Sequence, residues 1–310
     1  MRNSEERYIS LLTDFGFKRV FSTVPNKDLL IDFLNSLFDG EQVVKDVTFL
    51  NSEHVGDVRS ERKAIFDVYC ENEQGEKFIV EMQNAYQTFF KDRSLYYATF
   101  PIREQAEKGD VWDYQLKHVY VVALLNYKMS DSAFSPDTIN HDIGLLDKQT
   151  HRVFNDKLTF KYVEISKFDK CLEELESNYD KWLYVLRNLS RLDSQPDYLR
   201  NEIFNRLFSE AEIAHFSKVE LREYEDSLKA YRDIKNSLDT AKAEGLAEGF
   251  GKGRVEGHAE GRAEGLVEGR AEGRAETLVE VAKNLLSIGT PIESIMKATG
   301  MTEDEIKDLA

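Results

Sequence analysis

Residues 63–84 read KAIFDVYCENEQGEKFIVEMQN. Two runs rich in β-branched and aromatic residues flank the polar segment 72–75, and within each run the side chains alternate as they do on strands. This pattern predicts a β-hairpin with strands over residues 63–71 and 76–84. The acidic residues inside these strands are informative, because a charge in an otherwise apolar run is unfavourable without a partner.

An acidic pair is expected to meet across this hairpin. With a loop of residues 73–75 and glycine in the left-handed position that such loops favour, Asp67 lies directly opposite Glu81, with Cβ atoms about 5 Å apart. A register slip of one residue would separate them. Two carboxylates this close repel unless a cation lies between them, and hard oxygen ligands suit Mg²⁺ or Mn²⁺. The alternative is that both are solvated hairpin residues. Gln83 shares their face and is placed to orient a water or a phosphate oxygen.

The remaining patterns of the first half of the chain predict a mixed sheet with helices on both faces, an α/β (α+β) fold. Apolar residues at helical spacing follow Pro25, and a nearly continuous apolar run is typical of a strand buried on both faces. The predicted elements are helices over residues 29–38 and 84–108 and strands over residues 47–50, 118–127 and 158–165.

Several motifs together resemble a known family. Asp67, followed fourteen residues later by Glu81-Met82-Gln83, is similar to the Asp…Glu-x-Gln form of the PD-(D/E)XK nuclease core. Upstream, residues 13–21 (TDFGFKRVF) resemble the opening motif of the Rpn family of recombination-promoting nucleases and putative transposases. Residues 26–35 and 90–97 fit the same family. The resemblance covers roughly residues 10–165, more than half of the chain.

The resemblance implies a restriction-endonuclease-like core and a divalent-metal-dependent DNA endonuclease that acts in recombination or transposition. Asp67 and Glu81 would be metal ligands for Mg²⁺ or Mn²⁺, with Ca²⁺ also compatible, and Gln83 would be the third catalytic residue. Asp14 would add an acidic group, or it is simply a first-turn residue favoured by the helix dipole. Gln83 stands where the wider nuclease pattern has lysine, and because an amide cannot take a proton, metal-bound water must carry more of the chemistry.

Basic and aromatic residues flank the acidic motif. Lys18, Lys91 and Arg93 are candidates for binding phosphate, and the alternative is a solvated helix face. The aromatic residues of the second predicted helix are expected to pack against the sheet, with stacking on an unpaired base as the alternative: Tyr96, Tyr97 and Phe100.

Glycines divide the rest of the chain, because eight of them recur at every fourth residue from Gly245 to Gly273. Each costs a helix up to about 1 kcal/mol relative to alanine, and glutamates four residues apart repel one another. Two interpretations remain open, close packing of the stripe between chains or a weakly helical spacer. The predicted segments are a nuclease-like domain (1–168), a helical region (169–240), the repeat (241–276) and short capped helices (277–310).

The last segment is expected to be an interaction module. Thr290 and Thr302 each begin a capping-box pattern, and Gly289 and Gly300 end the helices before them. Residues 295–302 resemble the turn of a helix-turn-helix, but the helix that would enter the groove is acidic, which disfavours DNA reading.

Composition limits the classes of protein to which the chain can belong. There are 57 acidic and 41 basic residues, a net charge of −16, which disfavours non-specific coating of nucleic acid. No apolar run approaches the length that spans a membrane, and two cysteines form no metal or disulfide framework. We expect a cytoplasmic protein with DNA as partner and a homo-oligomer formed through the repeat. The alternative function is a non-catalytic oligomeric scaffold or partner-binding protein that retains the nuclease fold.

Overall fold

The structure is a computed structural model, and it describes residues 6–54, 64–106, 113–129 and 133–309. The chain divides into two compact units, residues 1–238 and 239–310. The strands all lie in the first unit: β1 (Val47–Phe49), β2 (Glu53–His54), β3 (Ala64–Ile65), β4 (Val68–Asn72), β5 (Lys77–Gln83), β6 (Val119–Leu125), β7 (Asn140–Leu146) and β8 (Val153–Val163).

Six of these strands form a mixed sheet in the order β1-β4-β5-β6-β8-β7, and β2 and β3 pair separately. The pairs β5–β6 and β6–β8 are parallel, whereas β1–β4, β4–β5 and β7–β8 are antiparallel. Every residue of the central strand β6 is buried, as its apolar run predicts. This mixed sheet confirms the predicted α/β fold of the restriction-endonuclease-like class.

The hairpin between β4 and β5 has the predicted register. Val68 pairs with Val80 and Cys70 with Phe78, so the three-residue loop 73–75 joins the strands. Gly75 has a φ of +78°, the left-handed conformation that this loop needs and that favours glycine. The first predicted strand, residues 63–71, is interrupted, because residues 66–67 separate β3 from β4. Its predicted first residue, Lys63, lies outside the described residues.

The helices of the first unit are α1 (Asp14–Phe21), α2 (Lys27–Phe38), α3 (Phe90–Glu104), α4 (Asn178–Asn188), α5 (Glu202–Ala211) and the first part of α6 (Lys218–Ser287). The sequence predicts that helix α3 begins at Asn84, but it begins at Phe90. The reason is that the Asn84 side-chain amide donates to the carbonyl of Leu12 at 2.6 Å. A tertiary contact thus holds this residue in a loop. The predicted end of this helix at Lys108 lies outside the described residues.

The two faces of the sheet are covered by different helices. One face packs against α1, α2, α4 and α5, and its core includes Phe78, Val80 and Trp182. The other face carries Ile79 and packs against Phe90 and other residues of α3. Helices on both faces confirm the sequence prediction. Helices α4 and α5 and the first part of α6 share a core with the sheet, because each buries its apolar face there.

The second unit contains the rest of α6, followed by α7 (Ile292–Thr299) and α8 (Glu303–Lys307). The glycine repeat is helical, and a Cβ added at Gly245 or at any later glycine up to Gly273 meets nothing of the described chain within 4 Å beyond the local backbone of its own helix. Gly289 and Gly300 have positive φ at the helix ends, as predicted.

The two predicted capping boxes have different outcomes. The box at Thr302 is confirmed, with Thr302 and Glu305 bonded reciprocally. The box at Thr290 is wrong, because α7 begins at Ile292 after Pro291 and no side chain caps it. In the described part of the chain, no helix has both the length and the apolar character needed to cross a bilayer.

We predict that Trp182→Ala lowers the free energy of unfolding by about 3–5 kcal/mol, the usual cost of removing a buried aromatic ring. Trp182 is fully buried among the rings of Phe21, Phe33 and Phe204, and its Nε1 donates to Asp32 at 2.7 Å. Urea unfolding followed by circular dichroism measures the change. Tyr198→Ala, at an exposed position, is the control. A loss of free energy of unfolding below about 1 kcal/mol in Trp182→Ala would show that α4 is not part of the shared core.

Candidate active site

Two acidic residues meet where β4 begins and β5 ends. Asp67 directly precedes β4, and continuing the observed register places it opposite Glu81 of β5. Glu81 is buried and Asp67 is half-buried. The predicted juxtaposition of these side chains is therefore present, and it follows from the three-residue loop at the other end of the hairpin.

Backbone N–H groups hold both carboxylates in place. Asp67 Oδ2 accepts a hydrogen bond from the N–H of Met82 at 2.8 Å, and Glu81 Oε1 accepts one from the N–H of Asp67 at 3.3 Å. Each strand thus supplies a donor to the acidic residue of the other. Asp67 Oδ1 accepts no hydrogen bond from any residue that the structure describes, so one oxygen of the pair is available to a ligand.

Burial makes both carboxylates hard to ionise, and the charge of Asp67 adds to this effect at Glu81. Burial, followed by the charge of Asp67, raises the pKa of Glu81 to about 8. Burial also raises the pKa of Asp67, and the N–H of Met82 and the charge of Lys18 oppose that rise. The site therefore tends to keep a proton near neutral pH unless a cation offsets the two charges.

A chain of hydrogen bonds leads from Glu81 to helix α3. Gln83 donates from Nε2 to Glu81 Oε2 at 3.2 Å, and its Oε1 accepts from Arg93 Nη2 at 2.5 Å. Arg93 Nη1 donates to the side-chain oxygen of Gln87. The Arg93 charge lowers the pKa of both Asp67 and Glu81. Because Arg93 donates to Gln83 Oε1, Arg93 also fixes the orientation of the Gln83 amide.

Helix α1 contributes a second charged pair. Lys18 Nζ lies 2.7 Å from Asp14 Oδ1, one helical turn away. The charge of Lys18 lowers the pKa of Asp67 and of Glu81, whereas that of Asp14 raises the pKa of Asp67. Asp14 is mostly exposed in the first turn of α1, so the structure brings it within electrostatic reach of the pair without burying it.

The predicted basic residues separate into two groups. Lys18 and Arg93 act on the acidic pair, whereas Lys91 is exposed and its Nζ lies 5.9 Å from the ring centroid of Phe134. Sequence reasoning missed Gln87, because it assigned residues 84–89 to the helix rather than to a loop. A polar residue in an assumed helix face carries no signal of a tertiary contact.

The donor set fits a small divalent cation. Asp67 and Glu81 supply carboxylate oxygens, and no third aspartate, glutamate, histidine or cysteine joins them among the described residues. Mg²⁺ commonly binds one or two carboxylates and keeps several waters, so two acidic ligands suffice for it. A cation would also offset the charge of Asp67 that raises the pKa of Glu81.

The fold and the acidic pair define a class of protein with a restriction-endonuclease-like core. A family profile described as PD-(D/E)XK nuclease family transposase matches residues 11–241. The chain belongs to this family, and the match extends past residue 165 through helices α4 and α5 into α6. Comparisons with curated proteins and with solved structures found no match.

We predict that Glu81→Gln becomes increasingly more stable than the wild type as pH rises from about 5 to 9 in EDTA. The folded protein holds the Glu81 proton up to pH about 8, whereas an ordinary glutamate releases it near 4.5. The native state thus binds more protons in this interval, and the wild type loses stability as pH rises. The glutamine variant has no such loss.

Thermal melts at several pH values measure the effect, which we expect to reach several degrees. Glu225→Gln, at an exposed position of α6, is the control for removal of one glutamate. A difference in melting temperature that stays constant with pH would contradict the assignment of the raised pKa to Glu81.

Proposed function

We propose that this protein is a divalent-metal-dependent DNA endonuclease of the recombination-promoting, transposase-like type. The observation that carries the proposal is the pair of buried Glu81 and half-buried Asp67, held opposite each other in a chain that belongs to a nuclease family. Two partly protonated carboxylates weaken a fold, so a site that keeps them is best explained by a ligand that they bind.

Asp67 and Glu81 would hold the cation, which we propose is Mg²⁺ or Mn²⁺, with Ca²⁺ also compatible. When bound there, such a cation would supply an activated water and positive charge beside the phosphate. Glu81 has to lose its proton for binding, so affinity for the cation rises with pH up to about 8. Asp67 Oδ1 is the oxygen that accepts no hydrogen bond from the described residues, and it is the natural first ligand.

Gln83 orients the attacking water or a phosphate oxygen, and Arg93 holds its amide in the required direction. Because an amide cannot accept a proton, Gln83 acts by positioning rather than as a base. Lys18 and Arg93 add positive charge beside the acidic pair, where the phosphate would lie. Asp14 limits this charge through its ion pair with Lys18.

We predict that Asp67→Asn and Glu81→Gln each reduce cleavage of supercoiled plasmid by about 100-fold or more, because each removes a ligand of a cation that contributes several kcal/mol to transition-state stabilisation. The wild type should cleave with Mg²⁺ or Mn²⁺ and not with EDTA. The same cations should raise its melting temperature, and should do so less in either variant.

Asp197→Asn is the matched control for the cleavage assay, because Asp197 is a highly exposed aspartate whose only ion pair in the described chain is with Arg200. It should leave cleavage unchanged. Well-folded wild-type protein that cleaves with none of the metals would contradict the nuclease proposal and favour the non-catalytic scaffold.

For the second unit we propose homo-oligomerisation through the glycine repeat. The surface of the stripe is open, and a glutamate precedes seven of its eight glycines while arginines follow several of them, as in Glu256-Gly257 and Gly261-Arg262. A row of each charge therefore flanks the stripe. When two helices face each other through this stripe in parallel, the Glu row of one meets the Arg row of the other, whereas antiparallel helices would bring like rows together.

We predict that Gly257→Leu/Gly261→Leu in the full chain lowers the oligomeric mass towards the 35.8 kDa of one chain, because the added side chains prevent close approach. Light scattering after size exclusion measures the mass. Ala259→Leu/Ala263→Leu is the control, because these residues lie two positions along and about 200° around the helix. A lower oligomeric mass for Ala259→Leu/Ala263→Leu, with no change for the glycine variant, would contradict the assigned face. A monomeric wild type would favour the spacer interpretation.

A further inference from the structure

A cleft of about 690 Å³ lies between the loop before α3 and one face of that helix. Gln87 and Phe89 line it from the loop, and Arg93 and Tyr97, four residues apart, line it from the helix. Its volume is in the range of small-molecule binding sites. The proposed catalytic chemistry does not account for this cleft.

Aromatic rings dominate the walls of the cleft. Phe89 is 73% exposed, unusual for a phenylalanine in a concave site. The Tyr97 ring packs against Phe66 with centroids 5.1 Å apart, and the Tyr96 ring packs edge-on against Phe100 at 5.1 Å. The two tyrosines are thus anchored at one side. A cluster of rings in a cleft marks a binding site, whereas a single exposed ring does not.

The polar groups of the cleft suit the edge of a planar, hydrogen-bonding ligand. The Arg93 guanidinium lies over the Tyr97 ring, 5.7 Å from its centroid, in a cation–π arrangement. Asp92 adds a carboxylate acceptor, and the Gln87 amide carries donors and an acceptor. Nucleobases have flat faces that stack on aromatic and guanidinium groups and edges that donate and accept hydrogen bonds.

The position of the cleft links its occupant to the acidic pair. Arg93 lines the cleft and donates to Gln83, and Gln83 donates to Glu81. A nucleotide whose phosphate lies at the pair therefore has its base, or that of a neighbour, within reach of the cleft. Paired bases stack on each other inside a duplex, so only an unpaired or flipped base can enter.

We propose that this cleft binds an unpaired base of the DNA substrate, with Phe89 as the main stacking residue. The inference rests on the proposed function for its choice of DNA and extends it, because it assigns the preferred substrate class as DNA with a single-stranded or extruded nucleotide beside the cleaved bond. Duplex DNA without such a nucleotide then contacts the protein only through the sugar–phosphate backbone of the DNA.

The test compares two labelled DNA duplexes in EDTA, where no cleavage occurs. One carries a single unpaired adenine in its centre, and the other carries an abasic nucleotide at the same place. Fluorescence anisotropy gives the affinity of the full-length protein for each. We expect the wild type to prefer the unpaired adenine by about tenfold, within the contribution of one base–aromatic stack.

Phe89→Ala should remove this preference and leave binding of the abasic duplex unchanged, whereas Phe89→Trp should keep it. Phe154→Ala is the matched control, because Phe154 is 79% exposed, lies on β8 and is not among the residues that line the cleft. It should keep the preference. Equal affinity of the wild type for the two duplexes, or a preference that survives Phe89→Ala, would overturn the proposal.

The plasmid assay separates this inference from the proposed function. Metal-dependent cleavage without a preference for the unpaired base overturns the base site and leaves the nuclease proposal standing. A preference that depends on Phe89 in a protein that cleaves nothing supports the base site and overturns the nuclease proposal.

Discussion

The register of the β4–β5 hairpin is the constraint on which the site depends. Because side chains alternate across a strand, one residue more or less in the loop would turn either Asp67 or Glu81 to the opposite face of the sheet. Gly75 secures the three-residue loop by accepting a left-handed backbone. The backbone pairing of β4 with β5 therefore holds the two carboxylates close together despite their repulsion.

The rest of the first unit supports this hairpin from both sides. Strand β6 lies parallel to β5 and is buried along its whole length, so β5 is fixed in the middle of the sheet. Helix α3 covers the face that carries Glu81 and brings Arg93 to Gln83. The bond from Asn84 to Leu12 ties the end of β5 to the segment before α1, which carries Lys18. Several elements therefore converge on one acidic pair.

Acidic surface charge and a phosphate substrate are compatible if positive charge is local. The chain has a net charge of −16, yet the two cations beside the pair, Lys18 and Arg93, both lower the pKa of its carboxylates. The proposed binding, through a cation, two side chains and a stacked base, needs little help from the average field of the protein. It would also restrict the proposed nuclease to particular DNA structures, because a duplex backbone alone gains little.

Sequence alone predicted the hairpin, its register for a three-residue loop, the mixed character of the sheet and most helix-forming segments, because each rests on local periodicity or on turn chemistry within a few residues. It also placed Asp67 opposite Glu81, since the loop length fixes that pair. It did not predict strand β7. The start of α3 at Phe90, the bond of Arg93 to Gln83 and the cleft beside Phe89 were decided only by the tertiary structure. These depend on contacts such as that of Asn84 with Leu12, between residues 72 positions apart, which no local pattern encodes.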